Sequence, residues 1–102
     1  MLAYRTTWIV KPGQMQEAVE LLTTEGDRTR DNLPKDSAAR VYSPDISPNV
    51  LVFEMTFESE AANEQFWAAY NATPEAAQFW KKWHEVTERS VGTERWSLFE
   101  VR

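Results

Sequence analysis

The fold is decided by residues 49–58, which read NVLVFEMTFE. Large apolar side chains occupy every second position of this stretch, from Leu51 to Phe57. Because successive side chains of a β-strand point to opposite faces of the sheet, the alternation predicts a strand with one apolar face. The opposite face, which includes Val52 and Glu54, is mixed. We therefore expect one face of the sheet to lie in a core and the other to be half apolar.

Three further strands and three helices are predicted around this strand. They are, in chain order, a strand over 2–10, a helix from 15 that fades between 26 and 32, a short strand over 38–42, helices over 60–70 and 74–89, and a last strand over 93–101. Ser59 and Thr73 are placed to cap the second and third helices, and Pro74 suits a first helical position. Gly92 is expected to separate the last helix from the last strand.

Turn residues separate the strands of the first half. Lys11-Pro12-Gly13 is expected to end the first strand, and Ser47-Pro48-Asn49 to turn the chain before the central one. The resulting order is strand, helix, strand, strand, helix pair, strand. This order predicts an α+β protein of the ferredoxin-like βαββαβ type, with a four-stranded antiparallel sheet and helices on one face. We find no linker or repeat, so residues 1–102 are expected to form one domain.

This architecture leaves the second face of the sheet uncovered. That face combines Val50 and Val52 with Glu54 and Thr56, which makes it too apolar to remain in water. Two such faces meeting across a twofold axis would bury it. We therefore expect a homodimer, a dimeric α+β barrel.

Composition excludes several classes of partner and chemistry. Eleven Lys and Arg stand against sixteen Asp and Glu, a net charge of −5, so nucleic acid is not expected as a partner. The chain has no cysteine, which excludes disulfides, thiolate nucleophiles and Cys-ligated metal sites. No apolar run approaches the ~20 residues of a membrane span, and the N-terminus does not resemble a leader sequence, so we expect a cytoplasmic protein without membrane contact.

Aromatic residues make up 13% of the chain and include five tryptophans. Most of these rings are accounted for by core packing, and some could instead form the wall of a pocket for a planar molecule. The candidate substrate-binding residues are Trp8, Arg40, Trp67, Trp80 and Trp96.

Three residues are candidates for proton transfer. His84 is the only histidine and the one side chain that ordinarily titrates near neutral pH. Glu54 lies in the middle of a strand on the half-apolar face, where a carboxylate must be paired or have its pKa raised. A structural ion pair with Arg5 or Arg40 is the alternative for Glu54, and Tyr42 adds a hydroxyl nearby. For His84 the alternative is a surface histidine packed against tryptophan.

Other sites are disfavoured by what the chain lacks. A single histidine cannot build a His-rich metal site or a 2-His-1-carboxylate iron site. Three glycines, far apart, cannot form a phosphate-binding loop or a dinucleotide fingerprint. We expect no metal and no nucleotide cofactor.

Taken together, the order of these motifs resembles the dimeric α+β barrel superfamily. The similarity is to NIPSNAP-type and antibiotic-biosynthesis-monooxygenase-type domains. It rests on Lys11-Pro12-Gly13 closing the first strand, Phe57-Glu58-Ser59 entering a helix, and the helix break at Thr73-Pro74-Glu75. The resemblance implies a homodimer with a pocket between sheet and helices in each subunit. Members include cofactor-free oxygenases, heme-degrading enzymes and proteins of unknown activity.

Heme is the one cofactor that a single histidine could ligate. Heme-degrading relatives combine an Asn on the first strand with a Trp on a helix and a His about ten residues later. Here Thr6 occupies the position of that Asn, and Trp67 and His84 are 17 residues apart. The pattern fails at two of three points, so we expect no cofactor, and heme stays the open alternative.

Two functions are compatible with the sequence. The first is a cofactor-independent, monooxygenase-like enzyme that acts on a small planar molecule in an aromatic pocket, with Glu54, Tyr42 or His84 assisting deprotonation. The second is a non-catalytic, NIPSNAP-like dimer that binds a small molecule or serves as an interaction module. No constellation of residues demands catalysis.

Overall fold

A computed structural model of the chain describes residues 1–45 and 48–101. Its elements are strand β1 (Leu2–Val10), helix α1 (Met15–Thr29) with a 3-10 turn (Arg30–Asn32), strands β2 (Ala38–Tyr42) and β3 (Val50–Phe57), helices α2 (Glu60–Asn71) and α3 (Pro74–Val86), and strand β4 (Thr87–Ser97). Of the turn predicted at Ser47-Pro48-Asn49, Ser47 lies outside the described residues, whereas Pro48 and Asn49 form a turn.

The four strands form one antiparallel sheet in the order β2-β3-β1-β4. Central strands β1 and β3 pair from Leu2 opposite Phe57 to Ile9 opposite Val50. The helices connect strands that are not neighbours, which confirms the predicted ferredoxin-like α+β fold.

One face of the sheet packs against the helices. Leu51, Met55 and Phe57 are buried on this face, as the alternation of residues 49–58 predicts. The core forms where β1 and β3 meet α1 and α3, and it consists of Val10, Ala18, Leu51, Trp83 and Val86. Burying several large apolar side chains, each worth ~1.5–3 kcal/mol, fixes the helices on this side of the sheet.

The helix starts follow the predicted capping chemistry. The Ser59 hydroxyl accepts a hydrogen bond from the Ala62 amide at 3.1 Å. The Thr73 hydroxyl accepts one from the Ala76 amide at 3.3 Å, with Pro74 at the first position of α3. These caps satisfy amides that a helix start leaves without partners, and they separate α2 from α3.

The boundary between α3 and β4 differs from the prediction. Helix α3 ends at Val86 rather than near Arg89, and β4 begins at once with Thr87, opposite Val10 of β1. Gly92 lies inside the strand with φ 134°, beside a register shift opposite Thr7 and Trp8. Pairing with β1 prevails over the helical pattern here, and the irregular register accommodates the extra residues.

The second face of the sheet carries no helix. On it lie Tyr42 and Trp96, with 42% and 49% of their surface exposed, together with the apolar side chains that alternate with the core residues. None of the described helices packs on this face, which is called the open face below. None of the helices in the described part of the chain is long and apolar enough to cross a membrane.

Candidate functional site

A cavity of about 550 Å³ lies between the helices and the sheet, beside edge strand β2. Its volume is in the range of small-molecule sites. Its wall is largely apolar and aromatic, and includes Trp8, Leu22, Phe53, Phe66, Trp67, Tyr70, Phe79, Trp80 and Trp83. Four of the five predicted binding residues border this larger cavity: Trp8, Arg40, Trp67 and Trp80.

The aromatic wall is held by ring contacts and one hydrogen bond. The rings of Trp67 and Trp80 lie 6.4 Å apart, and Phe66 stacks parallel to Tyr70 at 6.3 Å. The Trp80 indole Nε1 donates to the Asn71 Oδ1 at 3.1 Å, which fixes one ring against the end of α2. A wall ordered in this way offers flat surfaces on which a planar molecule can pack.

Glu25 and Tyr70 form a polar corner of the larger cavity that the sequence did not reveal, and Arg28, which does not border the cavity, pairs with Glu25. The Tyr70 hydroxyl donates to Glu25 Oε2 at 2.5 Å, and the Arg28 guanidinium donates to both Glu25 oxygens at 2.7 and 3.0 Å. Arg28 and, to a smaller extent, Tyr70 hold the pKa of Glu25 below its ordinary value of 4.5. Burial and the hydrogen bond to Glu25 raise the pKa of Tyr70 above 10.0. Both groups therefore keep their ordinary protonation states at neutral pH, and Glu25 is a weak base.

A second, smaller cavity of about 390 Å³ lies on the same side of the sheet, towards β4. Tyr4, Thr6, Asn63, Ser90 and Thr93 border it and do not border the larger cavity. The two cavities share the residues Trp8, Phe53, Met55, Trp67 and Trp80. They are therefore neighbouring compartments with a common aromatic wall.

Four buried polar atoms of the described residues have no hydrogen-bond partner. They are the Tyr4 hydroxyl, the Ser37 hydroxyl, Asn63 Oδ1 and Trp83 Nε1. Ser37 and Trp83 border the larger cavity, and Tyr4 and Asn63 the smaller one. Buried polar groups are nearly always paired, so this coincidence marks the cavities as places where a partner is missing.

Glu54 lies on the open face, 3% exposed, and is paired. Arg5 Nε donates to its Oε2 at 2.6 Å, and the Tyr42 hydroxyl donates to its Oε1 at 3.2 Å. Arg40 is more distant, with 3.9 Å between its Nη1 and Oε1. The hydrogen bond to Glu54 raises the pKa of Arg5, so this guanidinium stays charged. The structural ion pair weighed as an alternative for Glu54 is thus present.

The remaining predicted residues lie on two different sides of the sheet. Trp96, which is opposite Ala3 in the sheet register, is on the open face, where its ring centroid lies 5.9 Å from the Arg5 guanidinium carbon. It borders neither cavity. His84 is exposed on α3, with its ring 6.2 Å from Trp80 and 6.4 Å from Trp8. The structure therefore brings Glu54 and Tyr42 together. It places His84 on the helix side as a surface histidine packed against tryptophan, the alternative given for it, and His84 borders neither cavity.

No cluster of potential metal ligands lies in the described ranges, 1–45 and 48–101. Nowhere in them do three His, Asp or Glu side chains group as they would to hold an ion. The aromatic cavity, with its polar corner, is instead suited to an organic molecule.

Comparisons with known proteins concern the fold. The chain matches no family model and no curated protein. It is similar to the structure of an uncharacterised NIPSNAP-domain protein from Burkholderia xenovorans, with a TM-score of 0.80 and 16% identity over 97% of this chain and 95% of the other. A NIPSNAP-family protein from Agrobacterium tumefaciens gives a TM-score of 0.79 and 14% identity over 97% and 93%.

A candidate antibiotic biosynthesis monooxygenase from Chloroflexus aurantiacus is also similar. It gives a TM-score of 0.72 and 9% identity over 99% of this chain and 95% of the other. These matches cover nearly the whole chain, and they confirm the resemblance inferred from the order of motifs. The chain has the fold shared by NIPSNAP-domain proteins and antibiotic-biosynthesis-monooxygenase-like proteins.

Proposed function

We propose that this protein is a cofactor-independent, monooxygenase-like enzyme that oxidises a small planar molecule bound in the larger cavity. The observation that carries the proposal is the aromatic cavity of about 550 Å³, whose wall includes Trp67 and Trp80. Its volume and its flat apolar surfaces fit a molecule of two or three fused rings. The likeness in fold to a candidate antibiotic biosynthesis monooxygenase supports the same class of chemistry.

In such a reaction the substrate supplies the electrons. A ring CH₂ group reacts with O₂, one oxygen atom becomes the carbonyl, and the other leaves as water with the two hydrogens. The protein contributes by holding the ring, excluding water and accepting the first proton. This division of work requires an apolar cavity and one basic group near it.

His84 is the proposed proton acceptor. It is exposed and borders neither cavity, but its ring packs against Trp8 and Trp80, both of which border the larger cavity, so the chain's one histidine lies next to the wall of the site. Glu25 borders the cavity too, but Arg28 lowers its pKa and makes it a poor base. Glu54 and Tyr42 lie on the open face, where their pairing with each other and with Arg5 gives them a structural role in the proposed dimer.

The proposed active form is a homodimer joined through the open faces of two sheets. Trp96 and Tyr42 are half exposed there, and Glu54 is already neutralised by Arg5. A face that is apolar in part and carries paired charge is suited to burial against its own copy. A cytoplasmic location fits the absence of cysteine.

Anthrone provides a direct test, because oxidation of its CH₂ group consumes one O₂ and yields anthraquinone and water. We expect the protein to accelerate oxygen uptake without added metal or cofactor. The variant Trp67→Ala should weaken binding, and His84→Ala should lower the turnover rate while binding is retained. Lys81→Ala, an exposed change on the same helix, is the control.

A non-catalytic binding protein is the second candidate function. The hydrogen bonds of Glu54 with Arg5 and Tyr42 favour this function, because a paired carboxylate is less suited to accept a proton from a substrate. Saturable binding of planar molecules without any oxygen uptake above the uncatalysed rate would support this second function. Absence of saturable binding in the cavity would contradict both.

A further inference from the structure

Two of the residues that border the smaller cavity each carry a buried polar atom without a partner. The Tyr4 hydroxyl, on β1, and Asn63 Oδ1, on α2, are shielded from solvent and make no hydrogen bond. Tyr4 otherwise packs by its ring, whose centroid is 6.0 Å from that of Phe57. By contrast, Thr6 and Thr93, which also border this cavity, satisfy each other through a hydroxyl–hydroxyl contact of 2.8 Å. The unpaired state is thus specific to Tyr4 and Asn63.

The position of this pair relative to the larger cavity is the second observation. Trp67 and Trp80 border both cavities, so a ring packed on them in the larger cavity has one edge towards the smaller one. Asn63 precedes Trp67 by one helical turn on α2, which places both side chains on the same face of that helix. A planar molecule on this wall can therefore reach the unpaired atoms with a substituent.

We propose that the smaller cavity binds the polar end of the planar ligand and that this end is a hydroxyl group. The hydroxyl oxygen accepts a hydrogen bond from Tyr4, and its hydrogen is donated to Asn63 Oδ1. Since a hydroxyl both donates and accepts, it can pair with both atoms at once. A methoxy group cannot donate to the Asn63 oxygen. A carboxylate, which only accepts, leaves the same atom unpaired. The inference rests on the proposed function, since it assumes a planar ligand in the larger cavity.

The unliganded protein carries the cost of the two unpaired atoms. Because both are closed off from water, the ligand's hydroxyl reaches them as the facing side chains move apart, and binding replaces unpaired groups by paired ones. Removal of the Tyr4 hydroxyl therefore has opposite effects on the two states. It relieves the free protein of a buried unpaired group, and it deprives the complex of a hydrogen bond.

The experiment compares 2-naphthol with 2-methoxynaphthalene by isothermal titration calorimetry. We expect the wild-type protein to bind 2-naphthol about tenfold more tightly, the effect of the one net hydrogen bond to Asn63 that the methoxy compound cannot make. In Asn63→Leu this preference should fall to about threefold or less, with the affinity for 2-methoxynaphthalene unchanged. Tyr4→Phe removes a donor to the oxygen of either compound, so it should weaken the binding of both. The melting temperature of unliganded Tyr4→Phe should equal or exceed that of wild type. Gln65→Leu, an exposed polar-to-apolar change on the same helix, is the matched control and should keep the preference.

Three results would overturn the inference. Equal binding of the two compounds to the wild-type protein would overturn it while leaving the proposed function intact. A preference that persists in Asn63→Leu, or undiminished binding of both compounds to Tyr4→Phe, would do the same. Failure of both compounds to bind would overturn the inference and the proposed function together.

Discussion

Replacing Tyr70 by Phe should destabilise the folded protein at pH 7 although it removes a single oxygen atom. That oxygen donates to the Glu25 carboxylate at 2.5 Å, from a tyrosine that is only 9% exposed. Hydrogen bonds to charged groups are worth about 1.5–3 kcal/mol, and the phenylalanine ring keeps the stacking with Phe66. A loss of about 2 kcal/mol corresponds to a fall of roughly 8–16 °C in melting temperature for a domain of this size.

The loss should depend on pH in a defined direction. Glu25 has a lowered pKa in the folded state, so its interactions stabilise the protein above pH 4.5 and are lost as the pH falls through the lowered value. The pKa of Tyr70 is raised, so the stabilisation that comes from its hydroxyl is complete below pH 10.0 and is lost as the pH rises through the raised value. The stability curves of wild type and Tyr70→Phe should therefore be far apart at neutral pH and converge towards both extremes.

Urea denaturation followed by tryptophan fluorescence, from pH 7 down to pH 3, measures this difference. Tyr42→Phe is the matched comparison, because its hydroxyl also donates to a carboxylate, Glu54, but over a longer distance of 3.2 Å. We expect that variant to lose about 1 kcal/mol or less. Equal losses for the two variants at pH 7, or a Tyr70→Phe loss that does not change with pH, would refute the role assigned to the Glu25–Tyr70 bond.

Three further changes test the fold and the proposed dimer. Gly92→Ala should lower the free energy of unfolding in urea by about 1–2 kcal/mol, because φ is 134° at this position and alanine is strained there. A clash does not contribute, since a Cβ at Gly92 would meet no atom within 4 Å. Gly26→Ala in α1, where a Cβ is equally free of contacts, should instead stabilise the protein by up to about 1 kcal/mol. Equal effects of the two would contradict the strain argument. Thr73→Ala should cost about 1 kcal/mol by the same measurement, because it removes the cap of α3. Trp96→Glu should convert the dimer to a monomer in sedimentation equilibrium at micromolar concentration, and Gln65→Glu in the helix layer should not. A monomeric wild-type protein would contradict the dimer.

The sequence predicts the strands well because their signals are local. Alternation over residues 49–58 and the Lys11-Pro12-Gly13 stop both act within a few residues, and β1 and β2 have the bounds predicted for them. The start of β4 was wrong because the residues after Val86 continue a helical pattern. Their pairing with β1 depends on a strand more than 70 positions earlier, which no local pattern contains.

The candidate site residues also differ in whether their signal in the sequence is local. Trp67 and Trp80 were predicted to border a pocket because they lie partly off the core-packing stripes of their helices, and both do border the larger cavity. Glu25 and Tyr4 could not be predicted. The significance of Glu25 comes from a partner 45 residues away, and that of Tyr4 from the absence of any partner. A helical Glu three residues before an Arg is the one local signal for Glu25, and it is shared with ordinary surface pairs.

The distribution of the five tryptophans connects the fold with the proposed function. Trp8, Trp67, Trp80 and Trp83 border the larger cavity on the helix side, and Trp96 alone lies on the open face. Alternate residues of each strand point to opposite faces of the sheet. The sheet therefore has one surface that borders the cavity and another that is free to contact a partner subunit. On the helix side, the aromatic side chains surround a cavity that they do not fill, which leaves space for a planar ligand. The open side has a half-exposed indole near a buried, paired carboxylate, and a second copy of the chain can cover that indole. On this argument the ligand and the partner subunit complete opposite sides of the same sheet, so loss of the dimer should leave the cavity's aromatic wall in place.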